Sequence, residues 1–436
     1  MRGIKLREKA LLAVICAVAG VSCVDGQSPP AGQTSGGASV LLADSTLARM
    51  LAEIQPAVER TSGMTATAPL NVAVTDEARL RAYLEAQLET QLSDEKAMAL
   101  TAVYARLGLV PADIDLRELF TALLQEQVIG YYDPVSDTLF VHDRVPEADL
   151  APVLAHELVH ALQDQYVSLD SLSSSFGGRS DPVGAYQAAV EGHATYSMME
   201  WQFGQMTGGE ADLTAMPDLG PTLEAIDLAA LGDFGSADVL AAAPAVIREG
   251  LMFPYIGGLL FLQRSWTRRP ERPLPFGDEL PESTEQILHV ERWIDRDSPT
   301  FVEFVEPAGN GWEQVYSSDL GEFETRVFLR EFLDVKDDAD EAAAGWDGDA
   351  YRLLRRADDE VFVWVSVWDA REDAVEFASA AELAYAARYG EGERIVEVEI
   401  DHGESLEDGR VTVVIVDRPD GVEVPSALLA VELSGN

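Results

Sequence analysis

The stretch Leu154–Gln165, LAHELVHALQDQ, constrains this chain more than any other. His156 and His160 stand four residues apart, with Glu157 directly after the first, inside an otherwise apolar run. At about 100° per residue the two imidazoles fall roughly 40° apart on one helical face, so both reach a single metal ion. Neutral imidazole is a good zinc ligand, and Glu157 projects beside the pair, where it can take a proton from water activated by the ion. Leu154, Leu158, Ala161 and Leu162 cover other parts of the helix and anchor it in a core. Histidine is scarce, six residues in 436. Two purely structural histidines would leave Glu157 buried without a partner, which is costly.

A catalytic zinc has three protein ligands and an open position for water, so one ligand must come from another segment. The run Ala188–Trp201, AAVEGHATYSMMEW, offers Glu191 and His193, with more distant histidines as alternatives. Ala188, Ala189, Ala194 and Met198 suit a helix packed against the first, and residues 161–190 leave room for a loop and a return. Gly192 would let those two helices approach closely. With Glu191 on the metal, His193 points to another side, into the cleft or solvent. Hydrolysis also needs a donor for the developing oxyanion. Tyr255 in FPYIGG, His289 in STEQILH and His193 are the candidates, His289 first.

The compartment follows from composition. The formal net charge is −45 and there are four lysines, which excludes the basic face that nucleic acid requires. Such a surface suits solubility, salt or basic partners. Residues 1–22 read as a signal peptide: Arg2, Lys5, Arg7 and Lys9 precede an apolar run, Ala10–Val21, too short for a mature membrane span. GVSC, ending at Cys23, resembles a bacterial lipobox, with Gly20 where that motif carries leucine; lipidation of Cys23 implies a lipoprotein of the cell envelope, and cleavage without it a secreted or periplasmic protein. The only other cysteine, Cys16, lies inside the signal, so no internal disulfide is expected in the mature chain. No later segment reads as transmembrane. Oligomeric state is left open.

Residues 23–45, rich in Gly, Ser and Pro, read as a flexible tether. Pro69–Val74 reads as a strand, Asp76–Leu92 and Ser93–Leu107 as helices, and Pro111 with Asp113 as the opening of a third. Val128–Asp143 reads as a hairpin around DPVSD, whose edge strand could pair with an extended peptide. Asp149 is placed to cap the histidine helix. Thr207–Ala243 reads as an exposed insertion and Asp334–Glu341 as a solvated linker. From about Gly345 two strands with a helix between them read as a small α/β domain, residues 345–436, following a main domain of residues 46–333. The expected class is α+β and helix-rich.

AHELVHALQDQ with EGHAT resembles zinc metallopeptidases of the gluzincin type. More narrowly, Gly130–Pro134, His156–Gln165, Glu191–Thr195, Phe253–Gly257 and Ser283–His289 are similar to segments shared by a group of exported bacterial proteins. The gap from His160 to Glu191 is longer than in the thermolysin-like pattern. The resemblance implies a zincin-like domain in which His156, His160 and Glu191 hold zinc. Glu157 would then serve as general base for peptide or protein hydrolysis. A zinc-holding envelope protein without proteolytic activity, or an amidase acting on cell-wall peptides, are the alternatives.

Overall fold

The computed structural model describes residues 40–147, 149–169, 176–224, 238–305, 311–390, 394–401 and 409–435. The expected signal peptide, Cys23 and residues 24–39 of the tether lie outside the described residues. Helix α1, Val40–Ser62, begins inside the segment expected to be tether: Leu47, Leu51, Ile54 and Val58 are buried, and this stripe docks the helix on the core.

Strand β1 (Asn71–Thr75) leads into α2 (Glu77–Gln91), α3 (Asp94–Leu107) and α4 (Leu116–Gln127). Asp76, Ser93 and Asp115 each accept a backbone N–H at the start of those helices. The third helix therefore starts later than Pro111 and Asp113 suggest. The expected hairpin forms from β2 (Gly130–Asp133) and β3 (Thr138–His142). Its turn is held by Asp133, which accepts from Val135 N–H at 3.2 Å. β1 pairs parallel with β3 and β2 antiparallel, in the order β1-β3-β2, so β2 is an edge strand.

Helix α5, Leu150–Tyr166, carries the two histidines, and every residue from Pro152 to Gln163 is buried. Asp149 sits at its start with helical backbone angles and makes no side-chain cap, contrary to expectation; its backbone N–H instead donates to Pro146 O at 2.9 Å. Helix α6 (Ser180–Thr207) carries Glu191. Short helices α7 (Gly220–Glu224) and α8 (Asp238–Ala242) follow, then the long α9 (Ala245–Arg268). The described part of Thr207–Ala243 is largely exposed, as expected, but it is pinned to the core at a few points. Leu213 is fully buried, and Gln263 of α9 bonds Leu219 N–H, Leu213 O and Pro217 O. Residues 225–237 lie outside the described residues.

Helix α9 is, against expectation, long and apolar enough to cross a membrane, with a mean hydropathy of 1.4 over its most apolar window. In this molecule it is a core helix, apolar on several sides because α6 covers one face and later helices cover others. Where α6 and α9 cross, Gly192 faces Gly258: a Cβ on Gly258 would lie 2.0 Å from Ala188 O. Gly192 thus serves the contact with α9, not the contact with α5 that the sequence suggests.

The chain continues through α10 (Thr284–Leu288), α11 (Val290–Asp295), β4 (Phe301–Phe304), β5 (Glu313–Ser318) and α12 (Gly321–Phe332). The expected linker is helix α13, Lys336–Ala343, whose Ala339, Ala342 and Ala343 are buried. Strands β6 (Trp346–Arg356), β7 (Asp359–Trp368), β8 (Arg394–Asp401) and β9 (Val411–Pro419) join β5 in a sheet of order β5-β6-β7-β9-β8, with α14 (Arg371–Tyr389) across it. β10 (Val431–Ser434) pairs with β4. Strand period sorts β7: Val361, Val363, Val365 and Val367 enter one core, and Phe362, Trp364 and Trp368 the other. The aromatic side shares its cluster with Val103, Tyr104 and Leu107 of α3 and Phe328 of α12. The fold is α+β and helix-rich.

Candidate metal centre

Three side chains meet between α5 and α6. His156 Nε2 lies 3.1 Å from His160 Nε2, and Glu191 Oε2 lies 3.2 Å from each. All three residues are at most 4% exposed. Their one-turn separation on α5 puts both rings on one face, and α6 crosses that face with Glu191 turned inward. This buried group could hold a metal ion. Charge favours it: burial alone would raise the Glu191 carboxyl, but the bonded His160 and His156 outweigh burial and hold it at about 2. Burial lowers His156, and although it also pulls on His160, the Glu191 carboxylate pushes that ring up to about 9. A cation would compete with that proton, so metal uptake releases it.

Glu157, one residue from the first histidine, is 1% exposed, and the one group that donates to its carboxylate is the backbone N–H of Tyr132 on β2. Burial pushes it up to about 8, with His160 pulling the other way. Gly130 of β2 packs over it: a Cβ there would come within 2.6 Å of Val153 Cγ1 and 3.4 Å of Glu157 Cγ. The glycine of GYYDP thus lets the edge strand lie close against the histidine helix.

Tyr255 stacks on His156, ring centroids 6.2 Å apart and planes at 28°. His289 is bonded elsewhere. Its Nε2 meets Glu322 Oε1 at 2.9 Å and Arg326 at 3.0 Å, an ion-pair cluster between the end of α10 and α12. His193, expected to face cleft or solvent, is fully buried, because α1 closes over that side of α6: its Nε2 lies 3.0 Å from Ser62 O. Burial lowers it to about 4.

Sequence reasoning missed Gln163. Its Oε1 meets His160 Nδ1 at 2.8 Å, and its Nε2 donates to Val190 O at 2.9 Å and approaches His193 Nδ1 at 3.2 Å. The available signal was a glutamine three residues after a ligand histidine, on the same face of an apolar helix.

A family described as a domain of unknown function, DUF8575, matches residues 307–427. That segment runs from just before β5 to just after β9 and holds none of the residues of the metal centre. No curated protein matches the chain.

Proposed function

We propose that the chain is a zinc-dependent metallopeptidase of gluzincin type, exported and tethered through Cys23 or released. The observation that carries this reading is the triangle of ligand atoms. Its edges of 3.1, 3.2 and 3.2 Å match the about 3.3 Å edge of a tetrahedron with bonds near 2.0 Å, the size of a four-coordinate zinc site. Two imidazoles and one carboxylate leave a fourth position for water or substrate. A bound zinc ion supplies Lewis acidity there and lowers the pKa of water.

The chain's own residues would do the rest. Glu157, next to the ligands and beneath β2, would take a proton once a cation beside it favours its charged form, and return it to a leaving amine. Edge strand β2 lies against Glu157, so an extended peptide paired on that edge would run past the centre. This supports peptide substrates over esters or sugars. Of the three oxyanion donors expected from the sequence, His289 bonds Glu322 and His193 bonds Ser62 O, while Tyr255 stacks on the ligand ring of His156.

A second reading, a zinc-holding envelope protein without hydrolytic activity, draws on the near-complete burial of the ligands. Cleavage of a diverse peptide library, cell-wall peptides included, separates the two. The metallopeptidase reading expects zinc-dependent cleavage by wild type and none by Glu157→Gln. Zinc uptake with no cleavage would favour the second reading.

A further inference from the structure

A hydrogen-bonded relay leads away from the metal centre. Gln163 Nε2 faces the Val190 carbonyl at 2.9 Å, which only accepts, so the amide orientation is fixed and Oε1 must be the atom facing His160. His160 Nδ1, 2.8 Å away, therefore carries a proton and donates it. The second proton of the same amide points at His193 Nδ1, 3.2 Å away, which must then accept. His193 Nε2 consequently carries the proton and donates to Ser62 O at 3.0 Å, a carbonyl in the last turn of α1 with no helical partner ahead of it. Each N–H in the relay has one acceptor, and Val190 O takes the Gln163 proton in addition to its helical N–H. His156 differs: its Nδ1 is buried without a partner, and its ring is held by packing and the Tyr255 stack.

Resting on the zinc reading above, we propose that Gln163 and His193 are positioning residues for the ligand His160. They hold its Nδ1–H away from the centre and thereby keep Nε2 turned toward the ion. Outer partners of this kind fix the tautomer and ring orientation of a ligand histidine, and their loss typically costs about 10- to 100-fold in metal affinity. The relay also couples the ligand to the docking of α1.

The test measures zinc affinity by chelator competition on the full-length wild type, Gln163→Leu, Gln163→Glu and His193→Phe, with the melting temperature of each metal-free form. Gln163→Leu is expected to weaken zinc by about 10- to 100-fold, and His193→Phe by less. Gln163→Glu keeps an acceptor for Nδ1–H and should recover most of the lost affinity. In zinc-loaded wild type the His160 Nδ1–H proton should exchange slowly by NMR, and fast in Gln163→Leu. A packing role alone would make affinity follow melting temperature, with the glutamate no better than the leucine; that pattern overturns the proposal. So does unchanged affinity in both Gln163→Leu and His193→Phe. Should Gln163→Leu fail to fold, His193→Phe decides: unchanged affinity and unchanged His160 proton exchange contradict the relay. Wild type that takes up no zinc would instead remove the metal centre itself.

Discussion

Glu157 and Asp349 are both buried carboxylates, and their surroundings give them opposite roles. Asp349 accepts from Leu320 N–H and Gly321 N–H at 2.9 Å each, and from the Trp364 and Trp346 indoles at 2.9 and 3.1 Å. It caps α12 and ties that helix to the sheet. Glu157 has only the backbone N–H of Tyr132, on β2, as a donor, and that does not offset its burial. Replacing Asp349 by alanine leaves four buried donors unpaired and is expected to cost about 3 kcal/mol or more, read by denaturant unfolding; a loss below about 1 kcal/mol would contradict the assignment. Glu157→Gln should leave stability and zinc content unchanged while lowering peptide hydrolysis by about 100-fold or more. The placing of Glu157 was legible in the sequence because the two histidines beside it lie on the same helix turn. Asp349 was not, since its partners lie on α12 and β7 and become neighbours only in the fold.

At the scale of elements, the centre depends on how closely α9 backs α6. Gly258 sits where a Cβ would meet Ala188 O at 2.0 Å and Gly192 Cα at 2.7 Å, whereas Gly250 on the same helix has nothing within 4 Å. Gly258→Ala must push the helices apart and is expected to destabilise by about 2 kcal/mol. Gly250→Ala should stabilise by about 0.5–1 kcal/mol through helix propensity alone. Thermal melts of the two variants should shift in opposite directions; equal shifts would mean that the crossing is loose. Helix, strand and hairpin were readable wherever period and caps agreed, as in β1, α2, α3 and β2–β3. The acidic run Asp337–Glu341 was not. Most of its charges face water, Asp340 pairs with Arg330 of α12, and its helix is fixed by three small alanines whose burial depends on α12 and α14.

Over the whole molecule, one hydrophobic cluster runs from α3 through α12 to Trp364 of β7 and Phe377 of α14. Residues 345–436 on their own lack edge strand β5 and the covering helices α12 and α13. That fragment is therefore expected to give no cooperative melt; a sharp transition would show that it folds alone. Buried acids set the pH response. Burial, aided by the Asp319 charge, raises Asp349 to about 7, and burial raises Glu285 to about 10 with Glu322 adding to it. The folded chain thus keeps protons that the unfolded chain has lost, so stability should fall as pH rises from about 5 to 8. Melting temperatures measured across that range in chelator should decline with pH, and a rise would contradict this. The central claim is the zinc centre, and elemental analysis of purified protein tests it most directly. One zinc per chain in wild type and Glu157→Gln, with strongly reduced zinc in Glu191→Ala, is the predicted result. No stoichiometric zinc in wild type would make His156 and His160 core histidines and contradict the account.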